Sequence, residues 1–496
     1  MRRTRCWSSP PCAAPSCTWG ERAVADPSTT GPQPDGTDTP VPADLVLRHG
    51  RVVTLDPRRR ILTDGTIVVH AGRIRWVGPD RLRPATTGPE RDLAGAVVHP
   101  GLVDAHVHTG TETVRGLAPK GAESWETVEE VAYLGKTPYD EELAATLSAM
   151  DMVSSGTTLF ADTGGSVHLD ATARGIAAVG MRGIPGHILC DVPQDGVLVE
   201  VATDTDTCLA RLRDQLDRYP WRPDARVRAA VTLVGMGLDS DALLTAAAGL
   251  AEEYDVPLIM HQSWDRAEVD ASLAGCGVRP VTRLRDLGLL GARTTLVHMI
   301  QTDDAERDLV RETGTRVVHC PSASLRRAKG ALRDGRFPEM VADGVTVALG
   351  SDGLSGPRDL FRQAYLAATV FRELRDELPT LTAEQVLEMS TLHGARALGM
   401  SDEVGSIEVG KRADLVVHAT DRPQSLPAFD DPVDWLVFYA GARTVDTVLV
   451  DGEILYDRGR FTRIDTDEVL AAVADQARRH ERAIGPDRFA RWPLIR

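Results

Sequence analysis

Val97-Val-His-Pro-Gly-Leu-Val-Asp-Ala-His-Val-His108 is the stretch from which the rest of the chain is read. It opens as an apolar, β-branched run and closes on a His-x-His pair, which predicts a buried strand, Val97–His108, with two imidazoles at its C-terminal end. Residues i and i+2 of a strand point to the same face, so His106 and His108 can reach one ion. Seven further runs read as strands: Thr157–Asp162, Arg182–Ile188, Val227–Val234, Val256–His261, Thr294–His298, Arg316–His319 and Val345–Ser351. Helical patterns such as Asp241–Tyr254 and Asp303–Thr313 separate most of them. Strands alternating with helices predict an α/β domain with a parallel sheet, and eight such units over about 300 residues have the size of a (β/α)₈ TIM-type barrel.

The ends of these runs carry the chemistry. The fifth closes on His261, the sixth on His298 and the seventh on His319, and the eighth runs into Asp352. Barrel active sites lie at the C-terminal ends of the strands, so residues far apart in sequence collect on one rim. A third histidine and a carboxylate added to the His-x-His pair make a nitrogen/oxygen site suited to one Zn²⁺ or Fe²⁺, with room for water.

Outside this region the grammar changes to short strands and glycine turns. Asp44–Leu55 and Gly65–Gly78 alternate like strands, with a turn signal at His70-Ala-Gly-Arg. The pattern returns in Gly405–Val417 and in Thr444–Tyr456, where Asp451-Gly452 marks a hairpin. Both ends of the chain are therefore expected to build one small composite β-sandwich. The organisation that follows is a disordered tail over 1–42, sandwich strands over 43–98, a hydrolase barrel over 99–404, further sandwich strands over 405–465, and a closing helix and tail over 466–496.

The 496 residues are 42% hydrophobic but only 5% aromatic, so aliphatic packing must dominate a large core. A formal net charge of −16 argues against nucleic acid or an anionic membrane as partner and leaves a small molecule as the expected ligand. No apolar run approaches the roughly 18 residues of a membrane span. Seven cysteines, four of them scattered along the body of the chain, imply no disulfide framework and fit a reducing cytoplasm. A homodimer or higher homo-oligomer is compatible with this composition.

Pro100–His108, Ser155-Gly-Thr-Thr, His319-Cys-Pro, Gly350-Ser-Asp-Gly and Gly405–Val417 together resemble the amidohydrolase superfamily, in particular its cytosine deaminase and s-triazine hydrolase branch. The resemblance spans about residues 44 to 465, and Arg115-Gly116 also matches that branch. It implies His106, His108, His261 and Asp352 as ligands of a divalent metal. It also implies Asp352 as the proton shuttle from water and His298 as the group that polarises substrate. Arg115, Trp264, His319 and Ser324 become candidate substrate contacts. Other branches bridge two metals with a lysine on the fourth strand; Arg226–Gly235 holds none, which favours one metal.

The sequence departs from that pattern twice. Trp264 stands where the related deaminases carry a glutamate that protonates the leaving group, and an indole N–H cannot shuttle protons. Asp265 and Glu268 are the nearby carboxyls that could take over. After His319-Cys-Pro the asparagine of the pattern is missing and Ser324 follows. The reading is thus an aminohydrolase acting on an N-heterocycle, with an amide, urea or carbamate hydrolase as the alternative and a non-catalytic barrel as the contrasting class. Lys329, in a glycine-flanked loop, reads as a solvated lysine, and His393 as a packing residue.

Overall fold

The computed structural model describes residues 40–117, 128, 130–193, 201–354 and 356–485. The expected tail lies outside these residues up to Thr39, as does the stretch 486–496.

Among the described residues, eight parallel strands form the centre of the chain: β1 (Leu102–Val107), β2 (Thr157–Asp162), β3 (Arg182–Ile184), β4 (Val231–Gly235), β5 (Leu258–Gln262), β6 (Thr294–His298), β7 (Arg316–His319) and β8 (Val347–Leu349). The first three pair as one sheet and the last five as another. Parallel bridges Gly183↔Val227 and Val107↔Asp352 join the two at both edges. This is an α/β fold consistent with a TIM-type barrel. The interior is small and aliphatic: Val103, Ala105, Leu159, Ile259, Val297, Val318 and Ala348 pack together with Ala395 and Leu398. Their chain neighbours, such as Leu102, Phe160, Met260, Leu296, Val317 and Leu349, pack outward against the helices. The period-2 alternation of strands produces both layers from the same runs.

The helices start where the sequence supplies caps. Thr137 and Asp140 form a reciprocal capping box at the helix Pro138–Ser154, and Asp303 and Glu306 do so at Asp304–Thr313. Gly180, Gly277 and Gly314 end their helices with left-handed φ, a conformation that costs glycine little. The closing helix runs from Thr466 to Ile484.

Both ends of the chain share one nine-stranded sheet. Its path runs Arg460–Phe461, Glu453–Asp457, Val445–Val450, Leu415–His418, Val97–Pro100, Leu45–Val53, Ile61–His70 and Arg73–Pro79, with Glu90–Asp92 also on Leu45–Val53. The turn at Asp451-Gly452 has positive φ at both residues, as a two-residue hairpin requires.

The run Val97–His108 is two strands, not one. Val97–Pro100 pairs antiparallel with Leu415–His418 in the nine-stranded sheet, and β1 begins only at Leu102. The break falls at Gly101, where a Cβ would sit 1.9 Å from Thr158 Oγ1. Glycine lets the chain pass against β2 as it leaves one sheet for the other. A buried ion cluster ties the two parts: Arg182 on β3 reaches Asp414 at 3.1 Å and Asp451 at 2.8 Å.

Candidate metal and active site

The site is assembled at the C-terminal ends of the strands. His106 is on β1 and His108 directly follows it, their ring centroids 4.8 Å apart. His261 on β5 stands 4.7 Å from His106, and His298 at the end of β6 stands 5.5 Å from it. Asp352, just beyond β8, places Oδ1 3.5 Å from His108 Nε2 and 3.7 Å from His106 Nε2. Ligating atoms of His106, His261 and His298, and those of His106, His108 and Asp352, lie within 4.8 Å of one another.

Backbone contacts hold these groups. The Asp352 N–H donates to His106 O at 2.9 Å, which anchors β8 to β1 beside the site. Asp104 accepts from the N–H of His106 and from both the N–H and the hydroxyl of Ser351. Behind His108, Arg358 donates to its carbonyl at 3.0 Å and forms a fully buried ion pair with Glu112 at 2.7 Å. Asp352 has φ of 60° and His298 of 80°, a left-handed region where side chains other than glycine are strained. Such strain concentrates at functional sites because it re-aims side chains.

The donor chemistry fits a divalent cation. His106 is fully buried, yet among the described residues neither of its ring nitrogens has a hydrogen-bond partner, nor do the buried His108 Nδ1 and His298 Nδ1. Polar atoms in that condition are costly unless they hold something. Burial pushes His261 down to about 3 and lowers His108 and His298 well below the ordinary imidazole value, so these rings are neutral at pH 7. Burial works to raise Asp352, but the surrounding histidines, His106 first, hold it well below the usual carboxylate range. Neutral imidazoles and an ionised carboxylate are the forms that bind metal.

A cavity of about 120 Å³ opens over this cluster, lined among others by Tyr133, Ile188, Met236, Trp264 and Leu354. Trp264 packs on His298 with centroids 4.1 Å apart. A larger cavity, about 760 Å³, lies alongside and shares Met236 and Trp264 with it. Asp265 and Glu268 line that second cavity and not the first. Burial pushes Glu268 up to about 7, against the N–H groups of Ser263 and Trp264 that donate to it. Met236, Ile188 and Leu354 are loop residues that carry no sequence signal for a site; only the strand ends do.

Three candidate substrate contacts are placed elsewhere. Arg115 is half exposed and held by Glu112 and Asp151, at 2.6 and 2.7 Å. His319 follows the inward Val318 on β7, so strand alternation turns it outward, where it stacks on Phe337 at 3.8 Å. Ser324 is buried and its hydroxyl oxygen accepts from the Ala331 N–H at 3.3 Å. Lys329, expected in solvent, instead pairs with Asp265 Oδ2 at 2.7 Å. His393 packs as expected, with Nδ1 3.2 Å from Val347 O.

Comparison with known proteins adds four findings. A family model described as "Amidohydrolase family" matches residues 97–455. A 5-methylthioadenosine/S-adenosylhomocysteine deaminase from Syntrophobacter fumaroxidans is 33% identical over 445 residues, 88% of this chain and 98% of the relative. A crystal structure of an adenosine deaminase from Xanthomonas campestris with bound zinc superposes with a TM-score of 0.81 at 30% identity, covering 90% of this chain and 99% of that one. An atrazine chlorohydrolase from Arthrobacter aurescens complexed with zinc shares the fold, with a TM-score of 0.79 at 24% identity over 87% and 100% of the two chains.

Proposed function

This chain belongs to the amidohydrolase family of metal-dependent hydrolases, and on that premise we propose that it is an aminohydrolase that deaminates an N-heterocycle, most plainly the aminopurine of an adenosine-type nucleoside. The observation that carries this reading is the set of four imidazoles and one carboxylate at the strand ends, all buried except the partly buried His108. The relatives' names supply the substrate class.

In this reading His106, His108, His261 and Asp352 hold one Zn²⁺ or Fe²⁺. The bound ion supplies water activation at neutral pH. Asp352 takes the proton of the attacking water at a carboxylate oxygen. His298 donates to the oxygen or nitrogen on which negative charge develops, a role worth roughly 3 kcal/mol in comparable donors. The leaving amine needs a proton as well. Asp265 and Glu268 face the neighbouring cavity, so Asp352 is assigned both transfers, first accepting and then returning the proton. Trp264 offers a flat apolar wall on which a heterocycle can stack. The fold-level part of this reading is that the parallel strands form a closed (β/α)₈ barrel and that the nine-stranded sheet is the composite sandwich.

The alternative, hydrolysis of an amide, urea or carbamate, is favoured by one observation: no carboxyl stands at position 264 to protonate a ring nitrogen. The deciding experiment is ammonia release from the metal-loaded enzyme, assayed over aminopurines, their nucleosides and aminopyrimidines, beside a panel of amides, ureas and carbamates. Turnover confined to the second panel would replace the first reading with the second.

A further inference from the structure

Three loops meet around Trp264 and Lys329. The loop after β5 carries Trp264 and Asp265, the loop after β6 carries Gln301, and the segment after β7 carries Lys329 and Asp334. Lys329 Nζ donates to Asp265 Oδ2 at 2.7 Å and lies 5.0 Å from the centroid of the Trp264 ring. That ring in turn packs 4.1 Å from His298. The backbone on both sides is tied down. Gln301 Nε2 donates to Lys329 O at 3.3 Å and to Asp334 Oδ2 at 3.0 Å. The Glu268 carboxylate accepts from the N–H groups of Ser263 and Trp264 and from Gln262 Nε2 at 2.7–2.9 Å, which fixes the turn from which the indole projects. The N–H groups of Ile300 and Gln301 donate to Ser263 O, joining the loops after β5 and β6.

We propose that Lys329 is a positioning residue: with Asp265 as its counter-ion it holds the Trp264 indole against His298, and so sets the wall on which the substrate's ring lies. The physical case rests on three contacts acting in series. The ammonium gains from the indole face, an attraction that is stronger when partly shielded from water. Asp265 fixes the ammonium while also capping the helix Arg266–Cys276, so it has little freedom to follow solvent. The indole is thereby held in contact with both that cation and the His298 ring. The cation itself stands back from the reacting atoms, because Lys329 does not line the cavity over the metal cluster and Trp264 does.

The substrate consequence rests on the aminohydrolase reading above; the placement of the indole does not. The test therefore has two arms, run on the metal-loaded protein with Lys329→Met, Lys329→Arg, Trp264→Phe, Trp264→Ala and the Lys329→Met/Trp264→Ala pair. In the first arm, 5′-methylthioadenosine is the probe substrate. Lys329→Met is expected to raise KM roughly three- to tenfold with kcat held within about twofold, in line with the strength of a cation–indole contact, while Lys329→Arg retains wild-type KM. In the Trp264→Ala background, Lys329→Met should add nothing. In the second arm, the Trp264 emission, obtained as wild type minus Trp264→Ala and as Lys329→Met minus the Lys329→Met/Trp264→Ala pair, should shift to the red in Lys329→Met. An unchanged Trp264 emission in Lys329→Met overturns the proposal, as does an equal KM effect of Lys329→Met with and without Trp264. Failure of the probe substrate to turn over counts against the aminohydrolase reading alone, and the emission arm still decides the clamp.

Discussion

His261 Nδ1 donates to the carbonyl of Val234 at 2.6 Å, so its Nε2 is the unprotonated nitrogen, 3.4 Å from Nε2 of His108. A carbonyl only accepts, and this fixes the tautomer and aims the lone pair at the cluster. Purified protein is accordingly expected to hold about one Zn²⁺ or Fe²⁺ per chain by elemental analysis, four ligands being the usual complement. His261→Ala should lose most of it. Two ions per chain would exclude the mononuclear site.

His298 and Asp352 separate under the same assay. Asp352→Asn should abolish turnover and weaken metal retention together, because one carboxylate is assigned both tasks. His298→Ala should abolish turnover and leave the metal content near that of the wild type. Metal loss in His298→Ala equal to that in His261→Ala would make His298 a ligand, an arrangement the compact His106, His261, His298 group permits.

The pair His99 and His418, Nε2 to Nε2 at 2.9 Å, makes stability fall in acid. Both are buried; burial pushes His99 down to about 4 and lowers His418 well below the ordinary value. Above pH 6.5 neither folded nor unfolded chain protonates them and their contribution is complete. Between pH 6.5 and about 4 the unfolded chain takes up protons that the folded chain refuses, so stability is lost as pH falls, by on the order of 3 kcal/mol for a shift of this size. Urea unfolding at pH 7.5, 5.5 and 4.5 measures the slope. His99→Gln should flatten it, and an unaltered slope would locate the acid sensitivity elsewhere.

Arg182 is fully buried between Asp414 and Asp451. Removing a buried cation strands its partners, at a cost of about 3–5 kcal/mol. Arg182→Ala should therefore lower the urea midpoint sharply, and adding Asp414→Asn should recover part of the loss. A midpoint within error of the wild type would mean that the cluster contributes nothing to joining the sheet and the barrel strands.

Much of this was legible in one dimension. The apolar runs gave β2, β6 and β7 with their observed limits, because a buried parallel strand must be nearly continuous in aliphatic residues. Strand ends in a barrel share one rim, which gathered His106, His108, His261, His298, His319 and Asp352 as candidates; the family resemblance, and not the spacing, implied which of them are ligands. The break at Gly101 was not legible: it depends on Thr158 of a neighbouring strand and on Leu415–His418, more than 300 residues away. Nor was the partner of Lys329, since Asp265 lies on another loop.

His298 and His319 show where the boundary falls. Each follows an inward-facing valine, Val297 or Val318, at the end of its strand, so the local pattern treats them alike. Alternation alone turns both away from the barrel interior. His319 obeys it and stacks on Phe337 beneath the helices. His298 does not: its φ of 80°, followed by 51° at Met299, swings the ring back into the metal cavity. The period of apolar residues along the chain was enough to place most of the parallel strands and the rim on which histidines gather, though not the break at Gly101. Which of two equivalent histidines enters the site was decided only by tertiary structure, because a strained backbone persists only where surrounding loops over-determine it.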